Sequence, residues 1–258
     1  LFVSFQSMLP AYAELHCASN FSFLRGASHP EQLVARAAEL GYTALAITDE
    51  CSVAGVVRAH SEAKRQGLSL IIGSQFRLMD DNGAPLQLVV LAMNRAGYGN
   101  LCELITLARS RVEKGDYLLH SADLAQPATP LTHLRGLPDC FVLLAPAYCI
   151  DANVLRAQVG WMRQIFGVRA RLALTLLYRG RDEQHKRTVQ QISAEQGVPV
   201  VATGDVCMHL RSRKRIQDVL SAIRLGKSVS ECGRGLFVNA EQHLRADRKS
   251  TRLNSSHG

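Results

Sequence analysis

The sequence predicts an α/β fold in which parallel strands are covered by helices, either as a closed barrel or as an open doubly wound sheet. Three observations lead there. Six short β-rich runs recur along the chain, and stretches of helical periodicity separate them. The chain has 258 residues, enough for one large domain or two small ones with a sizeable core. Hydrophobic residues make up 47% and charged residues 20%, ordinary values for a globular protein, which excludes a disordered or collagen-like chain.

The elements follow in order. Ser28 and Glu31 form a capping box with Pro30 in the first turn, and Leu33, Val34, Ala37, Ala38 and Leu40 then share one helical face until Gly41 stops the helix. Strands are expected at Ala44–Thr48, Leu68–Gly73, Leu86–Ala92, Cys140–Ala145, Leu172–Leu177 and Val198–Thr203. Further helices are expected at Tyr98–Ser110, Leu155–Phe166, Asp182–Gln196 and Arg213–Leu225. No internal repeat is visible, and Lys114 to Pro138 is the one long irregular stretch. The start LFVSFQSMLP lacks the basic residues and long apolar run of a secretory signal, so residues 1–10 are read as an extension with Met8 as the true start. Residues 247–258, DRKSTRLNSSHG, are polar without apolar periodicity and are read as a non-native, disordered tail. The domain is therefore expected to occupy residues 11–246.

Thirty Lys and Arg against 22 Asp and Glu leave a net charge of +8, which favours an anionic partner without specifying one. The longest apolar runs, such as Leu86 to Met93, fall short of the roughly 20 residues that cross a bilayer, so no membrane partner is expected. Seven scattered cysteines without a C-x-x-C pair argue against a disulfide framework or a zinc ribbon, and fit a reducing cytoplasm. The phosphate loop, the dinucleotide fingerprint, the H-E-x-x-H pair and the G-x-S-x-G elbow are all missing.

What remains are polar residues where barrels and open α/β sheets place their sites, at strand ends. They lie in Glu14-Leu15-His16-Cys17-Ala18-Ser19-Asn20-Phe21-Ser22, in Ile47-Thr48-Asp49-Glu50, in Gly73-Ser74-Gln75-Phe76 and in Thr203-Gly204-Asp205-Val206-Cys207. The stretches Leu24 to Ser28, Gly97 to Ile105, and Asp218 to Gly226 accompany them. In this order and spacing they resemble the polymerase-and-histidinol-phosphatase (PHP) domain, in the form found at the N-terminus of bacterial C-family DNA polymerases. The combination of GDVCMHLRSRK with ELHCASNFSFLRGAS is most similar to the error-prone, damage-inducible branch. The resemblance covers about Tyr12 to Arg245.

The resemblance implies a distorted seven-stranded β/α barrel. Metal-binding members gather up to nine His, Asp, Glu and Cys ligands at its strand ends, where bound divalent ions activate a water. His16 matches the first His of the H-x-H pair, while Ala18 stands at the second. Asp49 matches the Asp of a D-H pair, with Glu50 in place of His. Gln75 replaces a bridging Glu, Gln87 a His and Ala147 a Cys; Asp205 is kept in the terminal D-x-H, with Cys207 in place of its His. An amide is a poor ligand and alanine is none, so this domain is expected to hold no metal tightly. Residual Zn²⁺ or Mn²⁺ on His16, Asp49 and Asp205, with Glu50 and Cys207 as substitutes, is the alternative.

Bland roles stay open beside these. His16 is equally read as a hydrogen-bonded histidine, Asp49 and Asp205 as strand-end acceptors, Glu50 as a helix cap and Cys207 as packing. Around them, Asp205 to Lys227 carries Arg211, Arg213, Lys214, Arg215, Arg224 and Lys227 against only two acidic residues, a contact for a DNA backbone or for a neighbouring domain. The resemblance implies a parent enzyme that extends DNA with carboxylates and Mg²⁺ in a palm domain, and a domain here that acts as a non-catalytic scaffold for palm and thumb. A metal-dependent phosphoesterase and a free-standing nucleic-acid binder are the rival readings.

Overall fold

The computed structural model describes residues 12–79 and 83–246; the expected N-terminal extension and the 247–258 tail lie outside the described residues. Seven strands form one sheet in chain order: β1 (Ala13–Glu14), β2 (Ala44–Ile47), β3 (Ser69–Met79), β4 (Pro85–Ala92), β5 (Cys140–Leu144), β6 (Ala170–Leu174) and β7 (Val200–Ala202). The backbone just past β1 closes the ring. Val206 N–H donates to the His16 carbonyl at 2.8 Å, Ala18 N–H donates to the Val206 carbonyl at 2.8 Å, and Thr48 N–H donates to the Cys17 carbonyl at 2.7 Å. The result is a distorted seven-stranded β/α barrel.

Period-two alternation sorts the strand residues. Ala46, Val89, Leu91, Leu143 and Ala173 fill the lumen with Leu15, Ile71 and Val201, while Leu45, Ile47, Leu88, Val90, Val142, Leu144, Leu172 and Leu174 face the helices. The expectation of parallel strands needs correction at β4, which runs antiparallel to both β3 and β5. Only five residues separate Met79 from Pro85, and a connection that short can join only antiparallel neighbours. The inversion brings the start of β4, with Gln87, to the same mouth as the ends of the other strands.

Among the described residues seven α-helices accompany the sheet: α1 (Pro30–Glu39), α2 (Val56–Gln66), α3 (Arg95–Ser110), α4 (Ala122–Ala125), α5 (Ala152–Phe166), α6 (Asp182–Gln196) and α7 (Lys214–Leu225). Two begin about a turn before the expected apolar periodicity because a polar cap reaches further. Asn94 Oδ1 accepts from Gly97 N–H at 3.0 Å, and Asp151 Oδ1 accepts from Asn153 N–H at 2.8 Å. The expected capping box shifts by one residue: Gln32 Oε1 accepts from His29 N–H at 3.1 Å, and Ser28 Oγ instead accepts from His209 N–H at 2.9 Å. Helix α2 was not expected, since it buries only Val56, Ala59 and Ala63, too little apolar surface to register as periodicity. No helix among the described residues is long and apolar enough to cross a membrane.

Candidate functional site

The strand ends meet at one mouth of the barrel. Alternation along β3 and β4 points Gln75 and Gln87 inward, and they meet there: Gln87 Nε2 donates to Gln75 Oε1 at 2.9 Å. His16 Nε2 lies 2.6 Å from the same Gln75 oxygen, a hydrogen bond that the imidazole donates in its Nε2–H tautomer. Its Nδ1 is buried without a hydrogen-bond partner. Asp205 Oδ1 stands 3.5 Å from His16 Nε2, while Asp205 Oδ2 accepts from Gln242 Nε2 at 2.7 Å. Asp205 sits in the left-handed region with φ of 46°, a conformation that aspartate tolerates better than most residues.

Asp49 is buried and is held by serines of the loop after β1. Both of its oxygens are taken: Ser19 N–H and Ser22 Oγ donate to Oδ1, and Ser19 Oγ donates to Oδ2, each at 2.7 Å. Burial pushes its carboxyl pKa up, and these donors oppose the rise. Ser22 Oγ in turn accepts from Glu50 N–H at 2.9 Å, so Asp49 pins the loop after β1 to the end of β2.

Glu50 caps no helix, because α2 begins further on, after Gly55. Its carboxylate pairs with Arg25, accepts from Tyr117 OH at 3.0 Å and lies 3.8 Å from Arg77 Nε. Ala18 and Ala147 contribute no ligand atom. Cys207 is buried, and its thiol donates to the Gln242 carbonyl at 3.6 Å. Burial and the nearby Asp205 push that thiol well up, which disfavours a free thiolate nucleophile at neutral pH.

These residues do not fit the metal cluster that the resemblance implies. A metal needs lone pairs, yet Asp49 is saturated by serine donors, and amides or alanines stand at Gln75, Gln87, Ala18 and Ala147. Among the described residues no three His, Cys, Asp or Glu side chains lie close enough together to hold one ion.

Several residues at the mouth escaped the sequence reading. A chamber of about 50 Å³ beside His16 is lined by Thr175, Arg179, Tyr148 and His185. Burial lowers the pKa of His185 and keeps it neutral at pH 7. A second chamber of about 110 Å³ is lined by Arg25, Arg77, Arg224, Gln217 and Gln75. Arg77 had a signal, as it shares the Gln75 side of β3 two residues on. Deeper-lying Glu14 accepts from His16 N–H and Gly204 N–H, both at 3.0 Å, tying the first strand to the last.

The basic segment is not a continuous stripe. Arg211 pairs with Glu241 at 3.1 Å, Arg213 donates to Gln32 Oε1 at 3.0 Å and Lys214 pairs with Asp218, and of these four Arg211 and Arg215 are exposed to solvent.

A strand-end site at the mouth of a seven-stranded barrel defines the class of protein. The PHP domain model matches residues 14–197, and the chain belongs to the PHP family. It is 57% identical over 238 residues to an error-prone DNA polymerase of Ralstonia nicotianae, covering 92% of this chain and 22% of that protein. With an error-prone DNA polymerase of Bordetella parapertussis it shares 56% over 241 residues, covering 93% of this chain and 23% of the relative. The chain thus spans less than a quarter of the length of these relatives. Among solved structures, an amidohydrolase from Chromobacterium violaceum superposes with a TM-score of 0.57 at 14% identity, covering 76% of this chain and 88% of that one. A protein from Bifidobacterium adolescentis, described as a metal-dependent phosphoesterase, reaches 0.52 at 17% identity with the same coverages. At these identities the likeness concerns the fold.

Proposed function

We propose that this chain is the PHP domain of an error-prone DNA polymerase acting in damage-induced translesion synthesis, and that the domain is a metal-poor, non-catalytic scaffold. The observation that carries the second part is the saturation of the old ligand positions. His16, Asp49, Glu50 and Asp205 each pair with a protein side chain that a metal would have to displace. The parent's nucleotidyl transfer, with carboxylates and Mg²⁺, belongs to its palm domain, and DNA reaches this domain through the parent, in the cytoplasm.

A scaffold needs a surface, and α7 offers one. Ile216, Val219 and Ile223 are exposed on it at helical spacing, beside the exposed Arg215. The palm and thumb of the same polymerase are the proposed occupants. The test is primer extension by the full-length polymerase. Val219→Asp with Ile223→Asp should reduce extension by about tenfold or lower the melting temperature, whereas His16→Ala should change extension less than twofold. Loss of extension in His16→Ala with silent α7 variants, all folded, would sink the scaffold reading.

A further inference from the structure

We propose that a groove at the end of the barrel opposite the mouth docks an acidic peptide segment of a partner protein, one that sets an apolar side chain between Asp or Glu residues. The groove lies between the turn from α5 into β6 and the turn from α6 into β7, so its walls are the starts of strands whose far ends form the mouth. It encloses about 480 Å³, within the roughly 300–1,000 Å³ of ligand-sized sites. Val168, Val198 and Pro199 give it an apolar surface, Arg163 and Arg171 give it two positive charges, and no acidic residue lines it. Val168 is 90% exposed, and Gly167, at φ of 56°, makes the glycine-favouring turn just before it.

Charge complementarity names the occupant. Arg171 is held in place: its guanidinium lies over the Phe141 ring, 5.1 Å from the centroid, and Nη1 donates to the Val168 carbonyl at 2.6 Å and to the Ala170 carbonyl at 2.8 Å. Its remaining N–H groups have no bonded partner among the described residues, so a positioned donor fork is left over. Arg163, in the last turn of α5, forms no ion pair among the described residues. Carboxylates match such forks with paired hydrogen bonds, and a donor already held in position loses little freedom on binding. The chain's net charge of +8 adds attraction at longer range. A nucleic-acid backbone fits less well, because two guanidiniums neutralise only about two phosphates and the apolar surface would face none of them. An apolar side chain flanked by acidic ones satisfies the floor and both edges together.

The test is fluorescence anisotropy of a fluorescein-labelled peptide, Asp-Glu-Leu-Leu-Glu-Asp, titrated with the 258-residue chain at low salt. Saturable binding is expected, weakened about tenfold by Arg163→Glu and by Val168→Asp, and weakened further as salt is added. Both side chains are exposed, so these variants should fold, and melting curves verify it. Arg77→Gln, at the mouth, should leave binding unchanged, which assigns the peptide to this end of the barrel. Peptides carrying Ser for Leu, or Asn and Gln for Asp and Glu, should each bind about tenfold more weakly. Absence of saturable binding, or binding indifferent to Arg163→Glu and Val168→Asp, overturns the proposal. So does displacement of the peptide by an oligothymidylate whose own binding falls in Arg163→Glu and not in Val168→Asp, since the groove would then be a nucleic-acid contact.

Discussion

Glu14 shows how one residue can hold a barrel shut. Its carboxylate accepts two backbone N–H groups and the Tyr12 hydroxyl, the latter at 2.8 Å, in a site that burial makes costly for charge. Burial raises its pKa above the unfolded value, so the native state binds the proton more tightly. Its contribution is then fully present below about 4.3 and is lost as pH rises through the raised native pKa. Glu14→Gln keeps an acceptor for the two N–H groups and removes the titration. Stability of the wild type relative to this variant should fall as pH rises above about 4.3, as melting curves at several pH values would read; a difference independent of pH would refute the assignment. At the mouth, Gln75→Glu, Gln87→His and Ala18→His should be accepted by the fold, because those side chains border open chambers. Glu50→His and Cys207→His should each cost about 1–3 kcal/mol in chemical denaturation, since the first strips Arg25 and Tyr117 of their partner and the second overfills a packed site. His16, Asp49 and Asp205 were legible because strand ends are where polar residues collect. The partners of Asp49 and Asp205 were not, since Ser19, Ser22 and Gln242 reach them from loops whose paths no periodicity describes.

At the scale of elements, six of the seven described strands were legible as β-rich runs and the larger helices through their apolar faces, while the two-residue β1 was too short to register. The direction of β4 was not, although Asp81-Asn82-Gly83 between two apolar runs is a hairpin signal of the Asn-Gly type. Helix α2 hid because small residues bury little area. The stretch from Lys114 to Pro138 is largely irregular as expected, apart from the single turn of α4. Helix α3 gives a sharp test of packing. A Cβ on Gly97 would meet the Asp139 carbonyl oxygen at 1.9 Å, whereas one on Gly99 would meet nothing within 4 Å. Gly97→Ala should therefore destabilise the domain by several kcal/mol, and Gly99→Ala should stabilise it by up to about 1 kcal/mol through helix propensity. Equal midpoints for the two variants in urea would mean that α3 does not lie against β5 as described.

For the molecule as a whole, the barrel has a closed sheet and a mouth at which the positions the resemblance implies as metal ligands are joined to neighbouring side chains by hydrogen bonds. Family membership was legible from the order of the strand-end stretches, because a closed barrel brings segments as distant as 16 and 205 to one place. The arginine chamber was not, because its three guanidiniums lie far apart in the chain. The central claim is that this mouth no longer holds a metal cluster. Elemental analysis of the chain after equilibration with Zn²⁺ and Mn²⁺ and extensive dialysis tests it most directly. The account predicts a substoichiometric content that is unchanged in His16→Ala and Asp205→Ala; one or more ions per chain, lost in either variant, would contradict it.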